Sequence, residues 1–124
     1  MYEQSYTFSF EAAHELAANV AGADDHPYAR IHGHSFVATL TLRAETLGAA
    51  GWILDFARLK AICADLQDRL DHHFLNAIPG LARPTLENTA AWIFHEAAKS
   101  APMLHRVELA RPTLHQRVVY IAAP

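Results

Sequence analysis

His32-Gly33-His34-Ser35-Phe36-Val37-Ala38-Thr39-Leu40-Thr41-Leu42-Arg43 alternates along its whole length. His32, His34, Phe36, Ala38, Leu40 and Leu42 fall on one side, and Gly33, Ser35, Val37, Thr39, Thr41 and Arg43 on the other. A period of two is that of a β-strand with one buried face. Upstream, residues 2–10 repeat it. Tyr2, Tyr6, Phe8 and Phe10 share a face, with Gln4 as the polar exception, against Glu3, Ser5, Thr7 and Ser9. Between the two strands, residues 17–30 are rich in Ala, Gly, Asp and Pro and read as a loop, long enough to mark it as functional.

Downstream of the second strand, Gly48 and Gly51 punctuate a turn. Asp55 is placed to cap a helix, in which Phe56, Leu59, Ile62, Cys63, Leu66 and Leu70 make one apolar stripe to about residue 70. Residues 71–84, with Pro79-Gly80 and Pro84, form a second loop. Thr85 then caps a helix of about residues 86–99, with Leu86, Ala90, Ile93 and Ala97 as its stripe. Residues 104–121 read as two short strands broken near Pro112. The order β–β–α–α–β–β predicts an α+β fold with an antiparallel sheet. Two helices on one face leave the other face bare, and Val37 and Thr39 give it partial apolar cover, so a homo-oligomer is expected.

Length and composition narrow the function classes. A chain of 124 residues suits one domain over residues 1–124, and 52% hydrophobic against 19% charged residues supports a packed core. A net charge of −3, without a basic surplus, argues against nucleic acid and anionic lipid as partners. Cys63 is the only cysteine, which rules out an internal disulfide and fits a reducing compartment. No secretory signal is visible at Met1-Tyr2-Glu3-Gln4, and no apolar run approaches the ~20 residues that span a bilayer, so a cytoplasmic protein is expected.

Nine histidines are several times ordinary usage. His32 and His34, two apart on a strand, point the same way, and Gly33 between them allows close backbone approach. His14 follows the first strand with the parity of Phe8, Phe10 and Ala12, and reaches the pair if the two strands form a hairpin. Three histidine ligands leave the fourth zinc position open, as in catalytic sites. The ordinary alternative is three unrelated histidines on a polar strand end. A second group is Leu70-Asp71-His72-His73-Phe74-Leu75-Asn76. Asp71 can orient His72 for proton transfer, or it can simply cap a chain reversal at the helix end. Cys63 reads as core, and Trp52 and Trp92 as packing or interface residues.

These pieces, in this order, resemble the 6-pyruvoyltetrahydropterin synthase and 6-carboxytetrahydropterin synthase family. The matching stretches are Phe10-Glu11-Ala12-Ala13-His14, His32-Gly33-His34-Ser35-Phe36, Gly51-Trp52-Ile53-Leu54-Asp55-Phe56 with Leu59-Lys60, Leu70-Asp71-His72-His73 with Leu75-Asn76, and Pro84-Thr85-Leu86-Glu87-Asn88. The resemblance implies the tunnelling fold, a four-stranded antiparallel sheet with two helices between the second and third strands. It further implies subunits joined through their sheets as trimers or stacked hexamers, and a place in pterin or queuosine biosynthesis. His14, His32 and His34 would hold zinc against the side-chain hydroxyls of 7,8-dihydroneopterin triphosphate. Asp71 and His72 would be the proton relay for loss of triphosphate or of a two-carbon aldehyde.

Two positions depart from the family pattern. Its Cys-x-x-x-His-Gly-His motif uses the cysteine as base, and here Tyr28 occupies that place. A tyrosine, with a pKa near ~10, is a weak base at neutral pH. His26, Asp24 and Asp25 lie in the same loop as alternatives. A family glutamate that anchors the pterin aligns with Arg111, while Glu108, three residues earlier, faces the other way. A carboxylate accepts where a guanidinium only donates, so Arg111 suits a carboxylate, a phosphate or a ring edge with two acceptors; alternatively it points into solvent. The leading expectation is a divergent paralogue that keeps the zinc and the Asp71–His72 relay but acts on an altered substrate. A non-catalytic metal- and ligand-binding protein, and an ordinary synthase with tyrosine as base, are the other two readings.

Overall fold

The computed structural model describes residues 1–22 and 25–124. Strands β1 (Tyr2–His14) and β2 (His32–Ala44) are followed by helices α1 (Phe56–Leu70) and α2 (Leu86–Ala98), then by β3 (Leu104–Arg111) and β4 (Gln116–Ile121). One antiparallel sheet, in the order β1-β2-β3-β4, carries both helices between its second and third strands. This is the tunnelling fold expected from the sequence.

The alternation of β1 and β2 becomes one buried face. Phe8, Phe10, Ala12, Phe36, Ala38, Leu40 and Leu42 meet Leu59, Cys63, Leu66 and Leu70 of α1 and Ala90, Ile93 and Ala97 of α2. Asp55 and Thr85 cap the helices as expected, each side chain accepting a backbone N–H from Ala57 and Asn88 respectively. Gln4, the polar exception, is buried because it holds the loop before α1: its Nε2 donates to Leu54 O at 2.7 Å and its Oε1 accepts from Leu54 N at 3.1 Å. Two apolar assignments fail. Tyr2 is half exposed at the strand's free end, and Phe56, in the first turn of α1, lies off the core and 56% exposed.

β1 runs four residues beyond the predicted strand end, through Glu11 to His14. β2 supplies the reason: the ladder continues without a break from Tyr2↔Ala44 to His14↔His32. On the sheet's other face Ser5 pairs with Thr41 at 2.9 Å and Thr7 with Thr39 at 3.0 Å, and this face continues to the exposed Val119 and Ile121 of β4. No helix among the described residues is long and apolar enough to cross a membrane.

The loop after α1 is stitched to the edge of β1. His72 takes a left-handed φ of 58° and turns the chain back on the strand. His72 N then donates to Glu11 O at 2.6 Å, Ala13 N to His73 O at 3.1 Å, and Glu15 N to Asn76 Oδ1 at 2.9 Å. This places Asp71, Asn76 and Pro84 around the end of β1 where His14 sits.

Candidate metal centre and adjoining groove

His14 ends β1, His32 begins β2, and the two are direct cross-strand partners; His34 lies two residues along on the same face. The three rings pack edge to face, with centroids 4.5 to 5.0 Å apart. One ring nitrogen from each falls in a cluster no more than 4.8 Å across. Gly33 lets the two strands approach closely between the β2 histidines, since a Cβ there would meet the carbonyl oxygen of Ala12 at 3.3 Å, tighter than ordinary contact.

The hydrogen bonds assign the tautomers. His14 Nδ1 donates to Pro84 O at 2.9 Å and His32 Nδ1 donates to Arg30 O at 2.7 Å. A carbonyl only accepts, so each Nδ1 carries the hydrogen and each Nε2 of a neutral ring is a bare lone pair. These two Nε2 atoms face each other at 2.9 Å. Burial pushes the pKa of His14 down, and burial together with the Arg111 charge pushes that of His34 down to about 4, which favours these two as neutral rings; between neutral His14 and His32 the facing lone pairs leave a repulsion. A shared cation relieves it directly. The donor set, three imidazoles of which two are oriented by backbone carbonyls, is that of zinc and related divalent ions. His14 is 1% exposed, which does not fit an ordinary histidine at a polar strand end.

Asp71 combines a backbone and a side-chain role at the end of α1. It caps α1, its N–H donating to Gln67 O, and its side chain is also engaged. Oδ1 accepts the Glu11 N–H at 2.8 Å and Oδ2 accepts from His72 Nδ1 at 2.9 Å. The Glu11 N–H, and then the His72 bond, hold the Asp71 carboxyl below its usual range. An ionised Asp71 therefore fixes His72 with Nδ1 protonated. His72 is exposed, and with His34, Glu11, Ser35, Thr113 and Phe74 it lines an open groove of about 790 Å³.

Tyr28 sits on a short turn (Pro27–Ala29), is 54% exposed, and its ring lies tilted against that of His26 with centroids 4.6 Å apart. His26 Nδ1 accepts the Tyr28 N–H at 3.1 Å, so the neutral His26 ring carries its hydrogen on Nε2 and has no free lone pair for a substrate proton. Asp25 is exposed, and Asp24 lies outside the described residues. Arg111, the last residue of β3, turns inward and not to solvent: Nη1 lies 3.4 Å from His34 Nε2. Glu108 points to the other face, 3.5 Å from Arg117. Cys63 is buried in the core, which pushes its thiol up to about 12.

Several supporting residues carry no signal of their own in the sequence reading. The carbonyls of Arg30 and Pro84 are backbone groups. Glu11 and Ser35, joined at 2.7 Å in the groove wall, and Asn76, which grips Glu15, occur in the matched stretches but drew no assignment there.

A four-stranded antiparallel sheet with two helices between its second and third strands, carrying a histidine cluster that could hold a metal ion, defines a tunnelling-fold protein. Residues 3–122 match the 6-pyruvoyl tetrahydropterin synthase family, and the chain belongs to it. It is 42% identical over 108 residues to a 6-carboxy-5,6,7,8-tetrahydropterin synthase of Synechocystis sp., covering 82% of this chain and 80% of that one. Over 97 residues it is 32% identical to a dihydroneopterin monophosphate aldolase of Pyrococcus furiosus, covering 78% and 75%. The solved 6-pyruvoyl tetrahydropterin synthase of Caenorhabditis elegans superposes with a TM-score of 0.83 at 24% identity, over 98% of this chain and 96% of that one, and so shares the fold.

Proposed function

We propose that the chain is a zinc-dependent lyase of the pterin synthase type, a divergent paralogue acting by proton shift and elimination on a pterin-related substrate that differs from the ordinary one. The observation that supports it best is the facing pair of lone pairs on His14 and His32, beside His34, which itself lines the groove that also holds His72. His14, His32 and His34 would hold the ion. When bound, zinc supplies Lewis-acid stabilisation of negative charge on a substrate oxygen. His72 moves a proton at Nε2, the ring nitrogen that the Asp71 bond leaves free, and Asp71 stabilises the charged ring. Tyr28 and Arg111 are substrate-binding residues, in place of the family's base and pterin anchor.

The half-exposed Tyr28 favours a second reading, a metal- and ligand-binding protein without turnover. One experiment tests the altered-substrate reading. Zinc-loaded protein is incubated with 7,8-dihydroneopterin triphosphate and with dihydroneopterin monophosphate, and acetaldehyde, triphosphate and other aldehyde products are measured. The altered-substrate reading expects negligible turnover of the triphosphate and its recovery in the double variant Tyr28→Cys with Arg111→Glu. Appreciable triphosphate turnover by the unaltered protein refutes it. Zinc retained after His32→Ala with His34→Ala refutes the metal assignment. We also propose assembly through the sheet's Ser/Thr face and the exposed Val119 and Ile121, as a trimer or hexamer; light scattering showing a monomer at micromolar concentration counts against this.

A further inference from the structure

Among the described residues, Arg111 is a cation with no carboxylate in salt-bridge reach. Arg43, Arg69 and Arg117 each have a carboxylate within 4 Å, on Glu3, Glu96 and Glu108. Among the described residues Arg111 has no such partner, and its Nε is buried with no hydrogen bond at all. Glu87 and Tyr28 are near enough to favour its charged form, yet both are exposed and neither pairs with it. A guanidinium stays charged in this setting. Holding it half-buried and unpaired is unfavourable unless a ligand brings the missing negative charge.

Its position makes that ligand specific. Nη1 stands 3.4 Å from His34 Nε2, so a fixed positive charge lies against any divalent ion the three rings hold. The two cations disfavour each other. An oxyanion that touches both removes the conflict, and the planar guanidinium fork matches a pair of oxygens on a carboxylate or phosphate. Arg111 ends a strand and leads into the Pro112–Leu114 turn, whose Thr113 and Leu114 line the groove.

We infer that Arg111 and the three-histidine centre form one oxyanion site, in which the metal ion and a carboxylate or phosphate group of the substrate bind with positive coupling. This rests on the metal reading above and adds a substrate class to it: an anionic group close to the metal-binding oxygen.

The test is a linkage measurement that needs no turnover. Zinc affinity of the purified protein is determined by competition with a chromophoric chelator, alone and with saturating glycolate or inorganic phosphate. The expected gain is about tenfold or more, within the usual range for coupled ligands. Both anions complex free zinc weakly, which works against the gain. Glycolate outperforming phosphate identifies a carboxylate substrate, and the reverse a phosphate. In Arg111→Gln zinc binds more tightly without anion and the gain falls below about twofold, whereas Arg111→Lys keeps part of it. Unchanged zinc affinity of the unaltered protein with either anion overturns the inference while leaving the metal centre intact, and this arm does not depend on any variant folding. A gain preserved in Arg111→Gln overturns it as well. No zinc binding under any condition overturns both this inference and the metal reading.

Discussion

Asn76 gives the sharpest test of how the site is held. Its Oδ1 accepts the Glu15 N–H at 2.9 Å, and its Nδ2 donates to Glu15 O at 2.9 Å and to Glu15 Oε1 at 3.0 Å. One side chain thus replaces a missing strand partner for the residue next to His14. In Asn76→Ala these three bonds go. Each neutral bond is worth about 1 kcal/mol net and the one to the carboxylate about 1.5 kcal/mol or more, less what water recovers at this partly exposed site, so a loss of ~2 kcal/mol is expected. Unfolding entropy of about 2.1 cal/mol/K per residue, over this chain length, converts that into a drop in Tm of about 8 °C. Asn76→Asp sharpens the reasoning. It has the same shape, but its second oxygen would face the Glu15 carboxylate and carbonyl, so it is expected to destabilise at least as much as the alanine. Circular dichroism melts of the three proteins at matched concentration decide it. A Tm within about 2 °C of the parent for the alanine variant, or an aspartate variant as stable as the parent, refutes the account.

Cys63, raised from an ordinary 9.0 to about 12, is expected to resist thiol reagents in the native protein, with only about 10⁻⁴ ionised at pH 8, and to react at once in denaturant. Because the unfolded thiol ionises near its ordinary pKa while the folded one does not, the fold loses stability as pH rises through 9, and Cys63→Ser or Cys63→Ala removes that part of the alkaline slope in urea titrations. Phe10 is 2% exposed and stacks on Phe36 at 4.9 Å, and Phe36 in turn lies against His14 and His34. Phe10→Ala is expected to cost about 3–5 kcal/mol, read as a lowered urea midpoint, and to weaken zinc binding. Gly33→Ala sets a methyl 3.3 Å from the Ala12 carbonyl oxygen, and a loss of about 1–2 kcal/mol with a severalfold drop in zinc affinity is expected, checked by melts and chelator competition.

The hairpin and its histidines were legible because burial leaves a period-two trace: Phe36, Ala38, Leu40 and Leu42 mark the face, and parity alone puts His32, His34 and His14 on it. The same logic misplaced Tyr2 and Phe56, since periodicity says which way a side chain points but not whether anything stands opposite. It also stopped β1 at residue 10, because the alanines of Glu11-Ala12-Ala13-His14 alternate too weakly to be seen without the partner strand. Gln4 looked like a flaw in the pattern and is a clamp on Leu54, fifty positions away. The carbonyls of Arg30 and Pro84 orient two of the rings and belong to no side-chain alphabet. Arg111 was placed by alignment, but its turn toward His34 needed the strand geometry.

The unbroken β1–β2 ladder bears on how this chain can change over generations. Deleting or inserting a single residue within β1 or β2 would send every histidine beyond that point to the opposite side of the sheet, abolishing the cluster even if the core repacked. The described residues between His14 and His32 belong to no strand and carry no such parity, so a change of length there leaves the register of the three rings intact. Variation in length is thereby channelled into the stretch that holds Tyr28, next to a centre whose own spacing is locked.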